Sequence, residues 1–252
     1  MRSEAGAHRS TNQDSLVAAG PYVVVADGVG GHAGGDVASR TVTRHLAQAL
    51  SALDVAGLDA VALRAAVADA NDALRRRATG DPLLSAMATT LTGVFGGEGV
   101  VRVAHVGDSR AYRLHDGQGE LVTHDDSLVQ RLVDAGAVAE EDAPFHPQRH
   151  IILRSLAGDP DDAAGLAVLE LPAAVGDRWV LCSDGLSDAL GDDEVLSLAA
   201  QAGSPEDAAQ ALLDAALGAD AHDNVSVAVC DVVASPPRPD EPRWLGAAAS
   251  EA

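Results

Sequence analysis

The run Tyr22-Val23-Val24-Val25-Ala26 stops at Asp27-Gly28, just ahead of Gly30, Gly31, Gly34 and Gly35. A short β-branched run bounded by glycine reads as a buried strand. The same ending recurs along the chain. Apolar runs lead into Gly107-Asp108-Ser109 and Ser183-Asp184-Gly185, and Asp223-Asn224 precedes the last apolar run. Each aspartate alone is ordinary turn chemistry. Four of them at strand ends require a fold that gathers those ends, if the strands share one sheet stack.

The spacing of apolar residues predicts that stack. Strands are expected at 21–26, 88–95, 100–106, 111–114, 166–171, 178–182 and 225–233. Gly96-Gly97-Glu98-Gly99 and Asp116-Gly117 supply hairpin turns, so the middle of the chain needs an antiparallel meander. Helical periodicity appears at 35–50 and 58–77, broken at 53–57, and again at 192–201 and 205–217. Ser204 and Pro205 mark a helix start, and Ser127 or a neighbouring aspartate caps a helix over 126–136. Strands in runs separated by paired helices predict a layered α+β domain, with sheets face to face and helices outside. Residues 137–160 form a long irregular stretch, a length that is usually functional. From Ser235 the chain carries four prolines and no apolar periodicity, so 1–234 is read as one folded domain and 235–252 as a disordered tail adding nothing to the core.

Composition narrows the partners. Aromatic residues are 2% of the chain against 47% apolar, so the core must be built of Val, Leu and Ala. The 17 basic residues are all arginine and face 38 acidic ones, for a net charge of −21. Such a surface repels nucleic acid and anionic membrane and tolerates cations. With no lysine, a GxxxxGK[ST] phosphate loop is impossible. Cys182 and Cys230 lie in apolar runs and read as buried thiols of a reducing compartment. No signal segment or membrane-spanning run is apparent, so a soluble cytoplasmic protein is expected.

Carboxylates at strand ends, each beside a permissive backbone, suit a hard divalent cation. Two such cations can activate water and neutralise phosphoryl oxygens. Arg9 offers a planar fork that matches phosphate.

Six segments, taken in order, resemble the bacterial branch of the metal-dependent serine/threonine protein phosphatases (type 2C, PPM family). They are Gly6-Ala7-His8-Arg9-Ser10-Thr11-Asn12-Gln13-Asp14, Val25-Ala26-Asp27-Gly28-Val29-Gly30-Gly31-His32-Ala33-Gly34-Gly35, Met87-Ala88-Thr89-Thr90, Ala104-His105-Val106-Gly107-Asp108-Ser109-Arg110, Leu181-Cys182-Ser183-Asp184-Gly185-Leu186-Ser187-Asp188 and Asp223-Asn224-Val225-Ser226-Val227. The resemblance implies a four-layer αββα sandwich, two packed antiparallel sheets flanked by helix pairs. It also implies a dinuclear Mn2+ or Mg2+ centre. Asp27 would bridge both ions and the Gly28 carbonyl would serve the second. Asp184 and Asp223 would hold the first ion, and Asp14 a water bound to the metals. Asp108 and Asp184 would hold a third, weaker ion, and Arg9 the phosphate. The implied reaction is attack of metal-activated water on phosphoserine or phosphothreonine of proteins, opposing a serine/threonine kinase.

The chain departs from the family pattern in places. Gln13 stands where a glutamate is common, and Val29 where animal members carry a histidine, which leaves the general acid unassigned; His32 lies close by. Asp125-Asp126-Ser127 replaces Asp-His-Ser at the edge of a flap that matches residues 123–158, including His146-Pro147-Gln148-Arg149. His150, in that flap, is a candidate to approach the third ion. Two rival readings are a catalytically weak regulatory or binding module of the same fold, and a metal-dependent nuclease. The charge of −21 counts against the nuclease, because a polyanion needs a basic path.

Overall fold

The computed structural model describes residues 1–29, 34–53, 55–234 and 241–250. Two antiparallel sheets dominate it. The first runs, in spatial order, β1 (Arg2–Glu4), β12 (Val225–Asp231), β11 (Arg178–Cys182), β8 (Arg110–His115) and β9 (Gln118–Leu121). The second runs β10 (Ala167–Pro172), β7 (Val100–Val106), β6 (Leu91–Gly96), β3 (Tyr22–Ala26), β2 (Ser15–Ala19) and β13 (Arg243–Gly246). A short pair, β4 (Gly28–Val29) and β5 (Ala88–Thr89), sits at the end of the second sheet.

The period-2 alternation of the strands builds the layers. Val23 and Val25 of β3 face the other sheet together with Trp179 and Leu181 of β11, whereas Tyr22 and Val24 face helices α1 (Gly35–Ser51) and α2 (Ala60–Gly80). On the opposite side, Val180 and Cys182 of β11 pack against α5 (Asp192–Gln201) and α6 (Pro205–Gly218). The result is the expected αββα order, with three apolar layers between the four structural ones. Alanine and valine fill most of it, as the shortage of aromatics requires.

Helix ends follow their local chemistry. The Asp59 side chain accepts from Ala62 N–H at 2.8 Å and starts α2. Ser127 caps α3 (Leu128–Asp134) by accepting from Gln130 N–H at 3.2 Å, and Ser204 caps α6 ahead of Pro205. A single helical turn, α4 (Asp184–Ser187), follows β11 directly.

Two edges correct the sequence reading. The polar N-terminal stretch contains β1, with Arg2, Ser3 and Glu4 paired to Val227, Ser226 and Val225. The expected disordered tail contains β13, paired to β2 from Arg243↔Ala18 to Gly246↔Ser15. Its side chains alternate like those of an interior strand: Trp244 packs toward α1 and α2, and Leu245 toward the space between the sheets. Ala247 and Ala248 are buried, and Arg44 Nη2 donates to Ala248 O at 2.8 Å while its guanidinium sits 5.1 Å from the Trp244 ring centre. Four residues are too few to show a period, and the prolines around them signalled disorder; the open edge of β2 supplied the partner. Residues 235–240 and 251–252, the rest of that tail, lie outside the described residues.

Candidate metal centre

Asp27 follows β3 where the strand leaves the sheet. Its backbone is clamped from one side: Asp27 N–H donates to Thr90 Oγ1 at 2.9 Å, and its carbonyl accepts from Thr90 N–H at 2.9 Å and Thr89 Oγ1 at 2.8 Å. Those bonds fix the main chain and leave the carboxylate free for the cavity. Gly28 comes next, and a Cβ there would lie 2.3 Å from the Gly35 carbonyl oxygen, so only glycine lets these backbones meet.

The other acids arrive from the ends of separate strands. Asp14 precedes β2 and is fully buried; its Oδ2 accepts from Ser183 Oγ at 2.8 Å. Asp108 sits between β7 and β8, 7% exposed. Asp184 opens α4, and Asp223 stands just before β12 with Oδ1 accepting from Asn224 N–H at 2.7 Å. Arg9 Nη2 donates to Asp223 Oδ2 at 2.5 Å. Asn224 ties the N-terminal segment to this corner: Oδ1 accepts from Gln13 N–H at 2.9 Å, and Nδ2 donates to the carbonyls of Ala5 and Thr11.

A cavity of about 490 Å³ opens over Asp27, with Arg9, Gln13, Gly28, Asp184, Asp188 and Asp223 on its walls. Asp14 and Asp108 lie behind this wall. The flap supplies Arg149, His150 and Ile152 to the rim. It is held at its base by paired backbone bonds between Thr89 and Leu156, 2.9 and 2.8 Å, and by Leu153 N–H to Asp126 O at 2.7 Å. Asp125 clamps Arg110 through both carboxylate oxygens, so the acid at this position organises the flap hinge through an ion pair.

Like charges crowd one another here. Burial, then Asp14, Asp184 and Asp108, push the Asp27 carboxyl well above the ordinary range, although the side chain keeps a face open to the cavity. Burial followed by Asp108, Asp188 and Asp223 does the same to Asp184. Asp14 and Asp108 are each pushed up to about 7, again chiefly by burial. Such a group is stable as carboxylates only beside added positive charge. Asp14 Oδ1 and Asp108 Oδ1 are buried and, among the described residues, have no hydrogen-bond partner. An all-oxygen donor set with unsatisfied carboxylates fits a hard divalent cation.

The structure therefore brings Arg9, Asp14, Asp27, Gly28, Asp108, Asp184 and Asp223 to one place. His32 lies outside the described residues. His150 Nδ1 reaches Asp188 Oδ2 at 3.2 Å, and those two with Asp184 present ligand atoms within 4.8 Å of one another. Asp188 was not singled out from sequence, although it stands four residues after Asp184, a spacing that puts both on one helical face. Ser183, Thr89, Thr90 and Asn224 also act through hydrogen bonds that no local pattern announces.

The protein phosphatase 2C family profile matches residues 6–218. The serine/threonine protein phosphatase PstP of Mycobacterium tuberculosis is 42% identical over 233 residues, which cover 92% of this chain and 44% of that protein. The chain thus spans less than half the length of that relative. The crystal structure of the Mycobacterium tuberculosis serine/threonine phosphatase PstP/Ppp superposes with a TM-score of 0.86 at 39% identity, covering 92% of this chain and 97% of that one. The catalytic domain of serine/threonine protein phosphatase PstP in complex with 2 manganese ions superposes with a TM-score of 0.81 at 37% identity, covering 92% and 96%. With the acid cluster at the ends of its two sheets and a match running through nearly all of the folded chain, this protein belongs to the protein phosphatase 2C family.

Proposed function

We propose that the chain hydrolyses phosphoserine and phosphothreonine esters on proteins at a dinuclear Mn2+ or Mg2+ centre. The observation that carries this reading is the ring of acids around Asp27, two of them with buried oxygens that have no partner among the described residues. The manganese-bound catalytic domain of PstP supports the choice of cation. When bound, the two ions would lower the pKa of water and neutralise phosphoryl oxygens.

The chain's own residues divide the remaining work. Asp27 would serve both ions, with the Gly28 carbonyl on the second and Asp184 and Asp223 on the first. Asp14 would accept a hydrogen bond from water at the centre. Asp108 and Asp184 would hold a third, weaker ion. Arg9 Nη2 donates to Asp223 Oδ2 at 2.5 Å, and its guanidinium would grip two phosphate oxygens and orient the phosphorus. The open rim lets a protein loop present its phosphorylated side chain to the floor.

An ester of this kind is made by a protein serine/threonine kinase, and we place the chain opposite such a kinase. The unpaired Cys182 and Cys230 support a reducing, cytoplasmic setting. No described helix is long and apolar enough to cross a membrane. The test is turnover of a phosphothreonine peptide against Mn2+ concentration, with Asp27→Asn beside wild type. Mn2+-dependent phosphate release by wild type alone is expected. A wild-type chain that binds Mn2+ and the peptide without releasing phosphate would make it a binding module instead.

A further inference from the structure

A second group of ligating side chains stands on the rim of the cleft, outside the acid cluster. His8 and His222 stack with ring centroids 4.1 Å apart and planes 19° from parallel. Both turn Nε2 toward one carboxylate: His8 Nε2 lies 2.8 Å from Asp220 Oδ1, and His222 Nε2 lies 3.8 Å from Asp220 Oδ2. One ligand atom from each residue lies within 4.8 Å of the other two. His8 belongs to the segment between β1 and β2, whereas Asp220 and His222 belong to the connection between α6 and β12.

The spacing suits a small ion. Ligands at about 2.0–2.1 Å from a tetrahedral zinc ion sit roughly 3.4 Å apart; His8 Nε2 and His222 Nε2 lie 2.8 and 3.8 Å from different oxygens of Asp220, so the stacked rings must swing apart for both nitrogens to meet one ion. Three protein ligands leave a fourth position open to water, and all three residues are exposed, so an ion has a direct path in. The donor chemistry also differs from that of the catalytic centre. Two imidazoles and one carboxylate favour zinc and other imidazole-preferring first-row metals, while an all-oxygen set favours Mg2+ and Mn2+. Asp220 adopts φ +61°, a left-handed backbone unusual outside glycine, and its two carboxylate oxygens face the Nε2 atoms of the two rings.

We propose that His8, Asp220 and His222 form a separate binding site for a zinc-class divalent cation. Its position has a mechanical consequence. His8 immediately precedes Arg9, and His222 immediately precedes Asp223, so an ion held here ties together the two segments that carry this ion-paired couple. The site stands whether or not the centre turns over phosphate esters.

The test uses the whole chain in excess Mn2+, so that the acid cluster is filled. Zn2+ is then titrated by calorimetry, and bound metal is counted by elemental analysis. Wild type is expected to take up one more Zn2+ than His8→Ala/His222→Ala. Co2+ in place of Zn2+ should give visible absorption bands in wild type that are missing from the double variant. Displacement of Mn2+ from the acid cluster would affect both proteins alike and cancels in the comparison. Equal Zn2+ stoichiometry and affinity in the two proteins would overturn the proposal. Should the double variant fail to fold, His222→Gln alone should weaken Zn2+ binding at least about tenfold, and an unchanged isotherm would overturn it equally.

Discussion

Ending the chain at residue 234 should destabilise it substantially. The cut removes β13 and its four residue pairs with β2. It also removes the bond from Ala247 N–H to the Asp14 carbonyl at 2.7 Å and the Arg44 bond to Ala248 O. Each backbone hydrogen bond contributes about 1 kcal/mol net. Burying a large apolar side chain contributes about 1.5–3 kcal/mol, and Trp244 and Leu245 reach only part of that because both stay partly covered. Set against the conformational entropy of ordering these residues, the net loss is on the order of 4 kcal/mol, a large share of a typical 5–15 kcal/mol total, and roughly 8–16 °C in Tm for a domain of this size. The damage should also reach the centre. A Cβ at Gly246, where φ is +65°, would lie 2.1 Å from the Asp14 carbonyl oxygen, so this glycine seats the tail directly against the residue that precedes β2. Without it the Asp14 main chain loosens, and the Mn2+ concentration for half-maximal turnover should rise. Urea and thermal unfolding of the shortened chain check the first effect, and Mn2+ activation curves the second. Trp244→Ala, which leaves the edge strand in place, should cost about 1–3 kcal/mol by the same reasoning. An unchanged urea midpoint for both proteins would refute it.

The metal-free protein should lose stability as pH rises. Asp14 and Asp108 ionise near 3.8 when unfolded and near 7 when folded, so their stabilising protonated state is complete below about pH 4 and is lost on rising through about pH 7. The fall should amount to a few kcal/mol, measured as urea midpoints in chelator from pH 4 to 8; saturating Mn2+ should restore stability at pH 8, and a flat chelator profile would contradict the crowding of buried carboxylates. Asp27→Asn should abolish turnover yet match or exceed wild-type stability in chelator at pH 8, because one of the crowded charges is gone. Arg9→Ala should lower kcat/KM by about 10- to 100-fold, the value of a charge-assisted bond near 1.5–3 kcal/mol, with Arg9→Lys recovering part; a shifted Mn2+ curve at constant KM would instead make Arg9 a support for Asp223. Asp108→Asn should cut turnover at least about tenfold, near 1.4 kcal/mol of barrier, while emptying one weak metal site and preserving Tm; full activity with an unchanged weak-site isotherm would return Asp108 to a turn role.

The interior of this fold was legible because its strands alternate strictly. Val23 and Val25 point one way and Tyr22 and Val24 the other, and the sequence shows that spacing plainly. The acids were legible because each stands where an apolar run stops. The edges were not. β1 and β13 are three and four residues long and rich in charged or small side chains, and they are strands only because β12 and β2 offer open edges. The supporting polar groups were illegible for a related reason. Ser183 reaches Asp14 across 169 residues, and Asn224 reaches Thr11 across 213, so neither partner can be read from its neighbours. The pairing of Arg9 with Asp223 likewise spans almost the whole chain.

The central claim is that Asp27 is shared by two cations. Crystals grown in chelator and then soaked in Mn2+ test it most directly, through anomalous difference maps recorded at the manganese edge. Two peaks about 3.5–4 Å apart, both within bonding distance of the Asp27 carboxylate, and their joint loss in Asp27→Asn crystals, are the predicted result. A single peak, or two that persist when Asp27 loses its charge, would contradict the account.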